Sequence, residues 1–295
     1  MTEGALPVAS RRTGVLRRQA LGLLLVAAPV LLVAGLVLVP ALSAILATLR
    51  VEVDGRDVVS LANYADFFAD PQSRRNLGFT LWTTAVATAL LLALCLPLAL
   101  YLRFATGRLP AVVQGIAVFP LFVPGIIVAY ALIRSIGPNG LLATILAAFG
   151  IGGYVSPYLG PWGPVIGLVW EGVPLTLLVL LSGLAQVPLP AIEAARDVGA
   201  GPFRILVSIV LPLIRNSLLI AFALEFLNIF GAFTLPYLLG PASPEMMGVY
   251  MQRTFSDVRD PIAAQTQAVV TFLICAAVGV LYVRAISRSR ARGAP

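Results

Sequence analysis

Residues 79–102 read FTLWTTAVATALLLALCLPLALYL, 24 positions without a charged side chain, and Arg103 closes the run. A helix rises 1.5 Å per residue, so a run of this length reaches across a hydrocarbon layer of roughly 30 Å. Comparable runs lie at about 21–46, 111–133, 164–184, 217–239 and 262–283. Pro120 and Pro124 interrupt the third of these, which a membrane helix tolerates when its neighbours satisfy the freed carbonyls. The sequence therefore predicts an all-α, polytopic membrane protein with six transmembrane helices.

Composition points the same way. Of 295 residues, 59% are hydrophobic and 11% are charged, against about a quarter charged in soluble domains. All the basic residues are arginine, and the net charge is +7. Most of them stand at the ends of apolar runs, which argues for a lipid bilayer partner and against nucleic acid. The absence of His removes the commonest metal ligand and any nucleophile–His pair. No catalytic and no metal site is expected. Cys95 and Cys275 both fall inside apolar runs and read as small buried hydrophobes.

Arginine placement sets the expected orientation. Arg11, Arg12, Arg17 and Arg18 precede the first run. Arg103 and Arg108 follow the second, Arg196, Arg204 and Arg215 follow the fourth, and Arg284, Arg288, Arg290 and Arg292 close the chain. The alternate loops, 49–78 and 240–261, mix Arg with Asp and Glu. Both termini are expected on the cytoplasmic side. The first run imitates a signal peptide but is too long for one, so it reads as a retained helix. The expected layout is a cytoplasmic tail at 1–20, a membrane domain at 21–285 with a cytoplasmic loop at 186–216, and a basic tail at 286–295. Residues 141–149 are apolar but too short to span. They form either an interfacial or re-entrant helix or a packed outer loop.

The loop at 186–216 carries the decisive motif. Glu193-Ala194-Ala195 is followed after three residues by Gly199, and then by Ile209 and Leu211-Pro212. Pro190 starts a helix at its first turn, and the small alanines let another surface approach the backbone. Gly199 and Gly201 permit a sharp turn. This spacing resembles the loop of type I ATP-binding-cassette importer permeases, the inner-membrane components of binding-protein-dependent transport systems. With the span count, the resemblance covers nearly the whole chain.

The resemblance implies the type I importer permease fold and a docking helix seated on an ATPase. Glu193, Ala194, Ala195 and Gly199 carry over as coupling residues, with Arg196 and Asp197 flanking them. Glu193 would contact the ATPase or favour the N-terminal end of its own helix. Implied partners are two ATPase subunits, a second permease (homologous or identical) and an extracytoplasmic solute-binding protein. The chain has no phosphate-binding loop and no Lys to complete one. It is therefore expected to be a non-catalytic subunit that binds no cofactor itself, ATP and Mg being used by the partner ATPase. The expected location is the inner (cytoplasmic) membrane.

Glu171 and Glu225 fall inside apolar runs, beside Trp170, Phe226 and Asn228. An intramembrane carboxylate usually faces a bundle interior or a wet cavity, and beside aromatic faces it suits a cationic amine. Alternatively, Glu171 serves a local helix break near Gly172 and Pro174, Glu225 pairs with a partner arginine, and Asn228 joins helices. The segments 230–240 and 137–141 are similar to the spermidine/putrescine and iron branch of the family. A polyamine is the expected solute, with ferric iron, an aminophosphonate or a sugar as alternatives. An ion-gradient transporter is the main rival class.

Overall fold

The computed structural model describes residues 25–53 and 56–292; the chain divides into two units, residues 1–63 and 64–295. In the first unit, α1 (Leu25–Thr48) is apolar throughout its length. An antiparallel hairpin follows, β1 (Arg50–Val53) with β2 (Arg56–Val59), pairing Arg50 with Val59 and Val53 with Arg56. An all-α reading did not anticipate it, although Val51, Val53, Val58 and Val59 supply the β-branched residues that strands favour. The expected tail at 1–20 and the start of the first run at 21–24 lie outside the described residues.

Twelve helices form the helical framework among the described residues. After α1 come α2 (Ala62–Ala69), α3 (Pro71–Phe104), α4 (Leu109–Val118), α5 (Gly125–Ile136), α6 (Leu141–Ala148) and α7 (Trp162–Leu184). The chain continues with α8 (Leu189–Asp197), α9 (Pro202–Phe230), α10 (Thr234–Leu239), α11 (Met247–Arg253) and α12 (Pro261–Arg292). Six stretches are long and apolar enough to cross a membrane: Leu25–Thr48, Pro71–Phe104, Gly125–Ala148, Trp162–Leu184, Pro202–Phe230 and Pro261–Ser287.

Several boundaries differ from the sequence reading, each for a local reason. The second helix begins at Pro71, not near 79. Asp70 caps it, its carboxylate accepting from Gln72 N at 3.3 Å and Ser73 N at 2.7 Å, and Pro71 sits where a missing N–H costs nothing. The third run is not one rod. A tight turn over Phe119–Phe122 and extended Val123 separate α4 from α5, because the residue before Pro124 is pushed out of the helical region. Residues 141–149, left open between helix and loop, form the short helix α6.

The fifth helix spans Pro202–Phe230 rather than 217–239. Gly231 ends it, and α10 is a separate short helix whose Leu239 carbonyl accepts from Leu159 N at 3.0 Å. The segment between the fourth and fifth spans is therefore shorter than the expected 186–216. The sixth helix continues through Arg284 into the expected tail.

The core of the second unit lies where α3, α7 and α9 pack together. Leu91, Cys95 and Ala99 meet Leu177, Leu180, Leu184, Ile214 and Ile229, all fully or almost fully buried. A polar bracket fixes the first turns of α3 to the segment after α10. Asn76 Oδ1 accepts from Glu245 N at 3.0 Å, Thr80 Oγ1 accepts from Met247 N at 2.8 Å, and Ser73 Oγ shares a 3.0 Å bond with Tyr250 OH. A small apolar cluster of Phe67, Met247 and Val270 lies beside it.

Candidate coupling and translocation site

The α7–α9 connection is largely exposed. Arg103 Nε, near the end of α3, donates to the Leu184 carbonyl at 3.1 Å and so caps the end of α7. Val187 is buried, and Pro188 is extended and leads into α8. Ile192 is the buried contact of α8, while Ala195 is half-buried against the core. Glu193, Ala194, Arg196 and Asp197 are exposed. None of the three charged ones enters an ion pair among the described residues.

Glu193 lies beyond the first turn of α8, which holds no acidic residue. A dipole role at the helix start is thus not its position, since that effect fades within the first turn. The helix ends in a Schellman arrangement: Ala200 N donates to Ala195 O and Gly199 N to Arg196 O, both at 2.9 Å. Gly199 has φ +80°, a conformation that a side chain disfavours. On either side of the turn, Val198 and Phe203 stand 84% and 78% exposed, an apolar surface without a cover among the described residues.

The two intramembrane carboxylates have different surroundings. Glu171 is exposed at the middle of α7. Its Oε1 lies 3.4 Å from where a Cβ on Gly125 would sit, and the Thr234 methyl lies 3.9 Å from the same point. The carboxylate therefore meets the start of α5, at the break in the third run. Leu175 and Leu178, one and two turns along, are exposed as well, so Glu171 is the charged point on an otherwise apolar open face.

Glu225 lies inside the bundle. It is 0% exposed, and its Oε1 accepts from Thr176 Oγ1 at 2.9 Å between α9 and α7. Its Oε2 packs 2.8 Å from where a Gly172 Cβ would be, so only glycine there admits it. Burial in the protomer core keeps it off any open face. Trp170 is half-buried against the core, Phe226 belongs to the ring series Phe222–Phe226–Phe230, and Asn228 is exposed. Sequence reasoning missed Thr176 and Gly125. The small residues Gly172 and Thr176, four apart on one helix face, were the available signal for close helix packing.

Residues 96–292 match the model of the family described as binding-protein-dependent transport system inner membrane component. The chain belongs to this family. It is a multi-pass inner-membrane protein with the type I importer permease fold, a transport subunit and not a catalyst. The spermidine/putrescine transport system permease protein PotB of Escherichia coli (strain K12) is 29% identical over 223 residues, covering 74% of this chain and 79% of PotB. The molybdenum transport system permease protein ModB of Azotobacter vinelandii is 25% identical over 191 residues, covering 64% of this chain and 83% of ModB. Among solved structures, a chain of the bacterial alginate ABC transporter in complex with alginate pentasaccharide-bound periplasmic protein superposes with a TM-score of 0.78. It shares 16% identity, with 90% of this permease and 93% of that chain covered.

Proposed function

We propose that this permease forms the membrane path of an ATP-driven importer for a small cationic solute, with a polyamine such as spermidine or putrescine as the first candidate. The exposed α8 helix carries the importer reading. Its charged residues have no ion pair among the described residues, and its end is fixed by Gly199. Glu193, Ala194, Ala195 and Gly199 dock on the ATPase, flanked by Arg196 and Asp197. The rigid turn passes movement of that subunit to α7 and α9. Two ATPases, a second permease and a solute-binding protein complete the assembly, with ATP and Mg held by the ATPases and both termini in the cytoplasm.

Glu171 supports the choice of solute. A carboxylate on an open apolar face within a membrane span is costly unless it meets a cation or water, and a polyammonium chain supplies the cation. The PotB relatives agree with this choice. The ModB relative names molybdenum transport, so an anionic solute is the second reading. Trp170, Phe226 and Asn228 flank the path in this proposal, and Glu225 holds α7 to α9. In the complex purified with its ATPase and solute-binding protein, the ATPase should hydrolyse ATP faster when the binding protein is loaded with spermidine. Stimulation by molybdate-loaded binding protein alone would overturn the polyamine reading. No stimulation by any loaded binding protein, with a competent ATPase, would overturn the coupling role.

A further inference from the structure

A cavity of about 410 Å³ opens where the end of α3 meets the coupling segment. Its walls are Leu100 and Phe104 from α3, Ile192 from α8, and Phe203, Leu206 and Val210 from the start of α9, with Arg196 as its charged residue. The walls are otherwise apolar, and they stand at the ends of two membrane-crossing helices. Arg103 lies against the Phe104 ring, its guanidinium carbon 5.5 Å from the ring centre.

We infer that this cavity holds one acyl chain of an anionic phospholipid, with the lipid phosphate drawn to Arg196. The cavity offers apolar walls at the ends of two helices long and apolar enough to cross a membrane, so lipid is the apolar ligand at hand. Its lining carries positive charge at Arg196. Basic pockets between helices at the bilayer boundary bind acidic headgroups through this combination of charge and apolar depth. Arg196 belongs to α8, so a bound lipid would touch the helix that the proposed function assigns to coupling. In that respect the inference rests on that reading. Lipid binding itself needs only the cavity.

The test is native mass spectrometry of the full chain released from nanodiscs. The discs contain equal amounts of phosphatidylglycerol and phosphatidylcholine with matched acyl chains. The wild type should retain phosphatidylglycerol over phosphatidylcholine by about fivefold, the factor that one basic side chain near an anionic surface contributes. Arg196→Glu should abolish the preference. Leu206→Trp, which fills the cavity, should reduce retention of both lipids, with helix content by circular dichroism as the folding check. Equal retention of the two lipids by the wild type, or an unchanged preference in Arg196→Glu, would overturn the inference. If Leu206→Trp fails the folding check, Phe203→Ala takes its place, and unchanged retention in that variant counts against the site. No arm measures transport or ATP hydrolysis, so failure here leaves the importer reading standing, and failure of that reading leaves this result intact.

Discussion

Thr176 Oγ1 donates a 2.9 Å hydrogen bond to Glu225 Oε1 across the α7–α9 contact, and both side chains are fully buried. The bond joins two helices that flank the coupling segment, deep in the core. Removing the hydroxyl leaves a buried acceptor without its donor, a loss that typically costs about 1–3 kcal/mol. Thr176→Val should therefore lower the thermal unfolding midpoint in detergent by several degrees. Thr176→Ser, which keeps the donor, should stay near wild type. Equal midpoints for the Val and Ser variants would show that the bond contributes nothing.

Gly199→Val should uncouple transport while the protein still inserts. The space around Gly199 is open, so the effect arises from φ +80°. A residue with a Cβ pays roughly 1–2 kcal/mol in the left-handed region, enough to loosen the turn after α8. Asn tolerates that region and a β-branched residue does not, so Gly199→Asn should retain more solute-stimulated ATP hydrolysis than the Val variant. Equal activity in the two variants would contradict a role for the backbone turn.

Glu171→Gln should reduce uptake of a cationic solute with little effect on expression or melting. Glu171 is exposed and has no hydrogen bond or ion pair to lose within the described residues. Initial uptake of labelled spermidine in vesicles is the measurement. Unchanged uptake, with an unchanged concentration dependence, would remove Glu171 from the path.

Asp70→Ala should weaken the first turn of α3 by about 1 kcal/mol, the usual worth of an N-cap. The Ser73 hydroxyl and the backbone N–H of Ser73 and Gln72 hold the Asp70 carboxyl below its ordinary value of 3.8. The sign follows from that depression. The cap's contribution is fully present above the ordinary carboxylate range and is lost as pH falls through the lowered folded value. The gap in melting midpoint between wild type and Asp70→Ala should be clear at pH 7 and narrow as pH falls below the ordinary carboxylate value of 3.8. A gap that persists undiminished in acid would exclude the ionised cap as its source.

Much of the membrane architecture was legible because apolar length is a strong signal. Phe79–Leu102 could hardly be anything but a span. The start of α8 at Leu189 and its glycine turn were legible too, since Pro190 and Gly199 act through backbone geometry alone. Tertiary contacts hid the rest. Arg74, Arg75 and Asn76 look like loop residues until Asp70 caps the helix and the 245–247 backbone claims Asn76 and Thr80. Glu171 and Glu225 look alike in sequence. Only the packing of Gly172 against α3 and α9 buries one and leaves the other open.

The length of α3 has a mechanical consequence. Its 34 residues, with Pro97 inside the helix, span about 51 Å along the axis at 1.5 Å per residue, well beyond a hydrocarbon layer of roughly 30 Å. One end, through Asn76 and Thr80, grips the backbone at Glu245 and Met247; the other, through Leu100 and Phe104, faces Ile192 of α8 across a shared cavity. In the proposed assembly a single helix thus reaches both sides of the bilayer, with Pro97 inside its last turns as the place where it can bend. In that assembly a few degrees of tilt at the α8 end would displace the far end by ångströms, in the opposite sense, with no chain of loops needed to relay the signal.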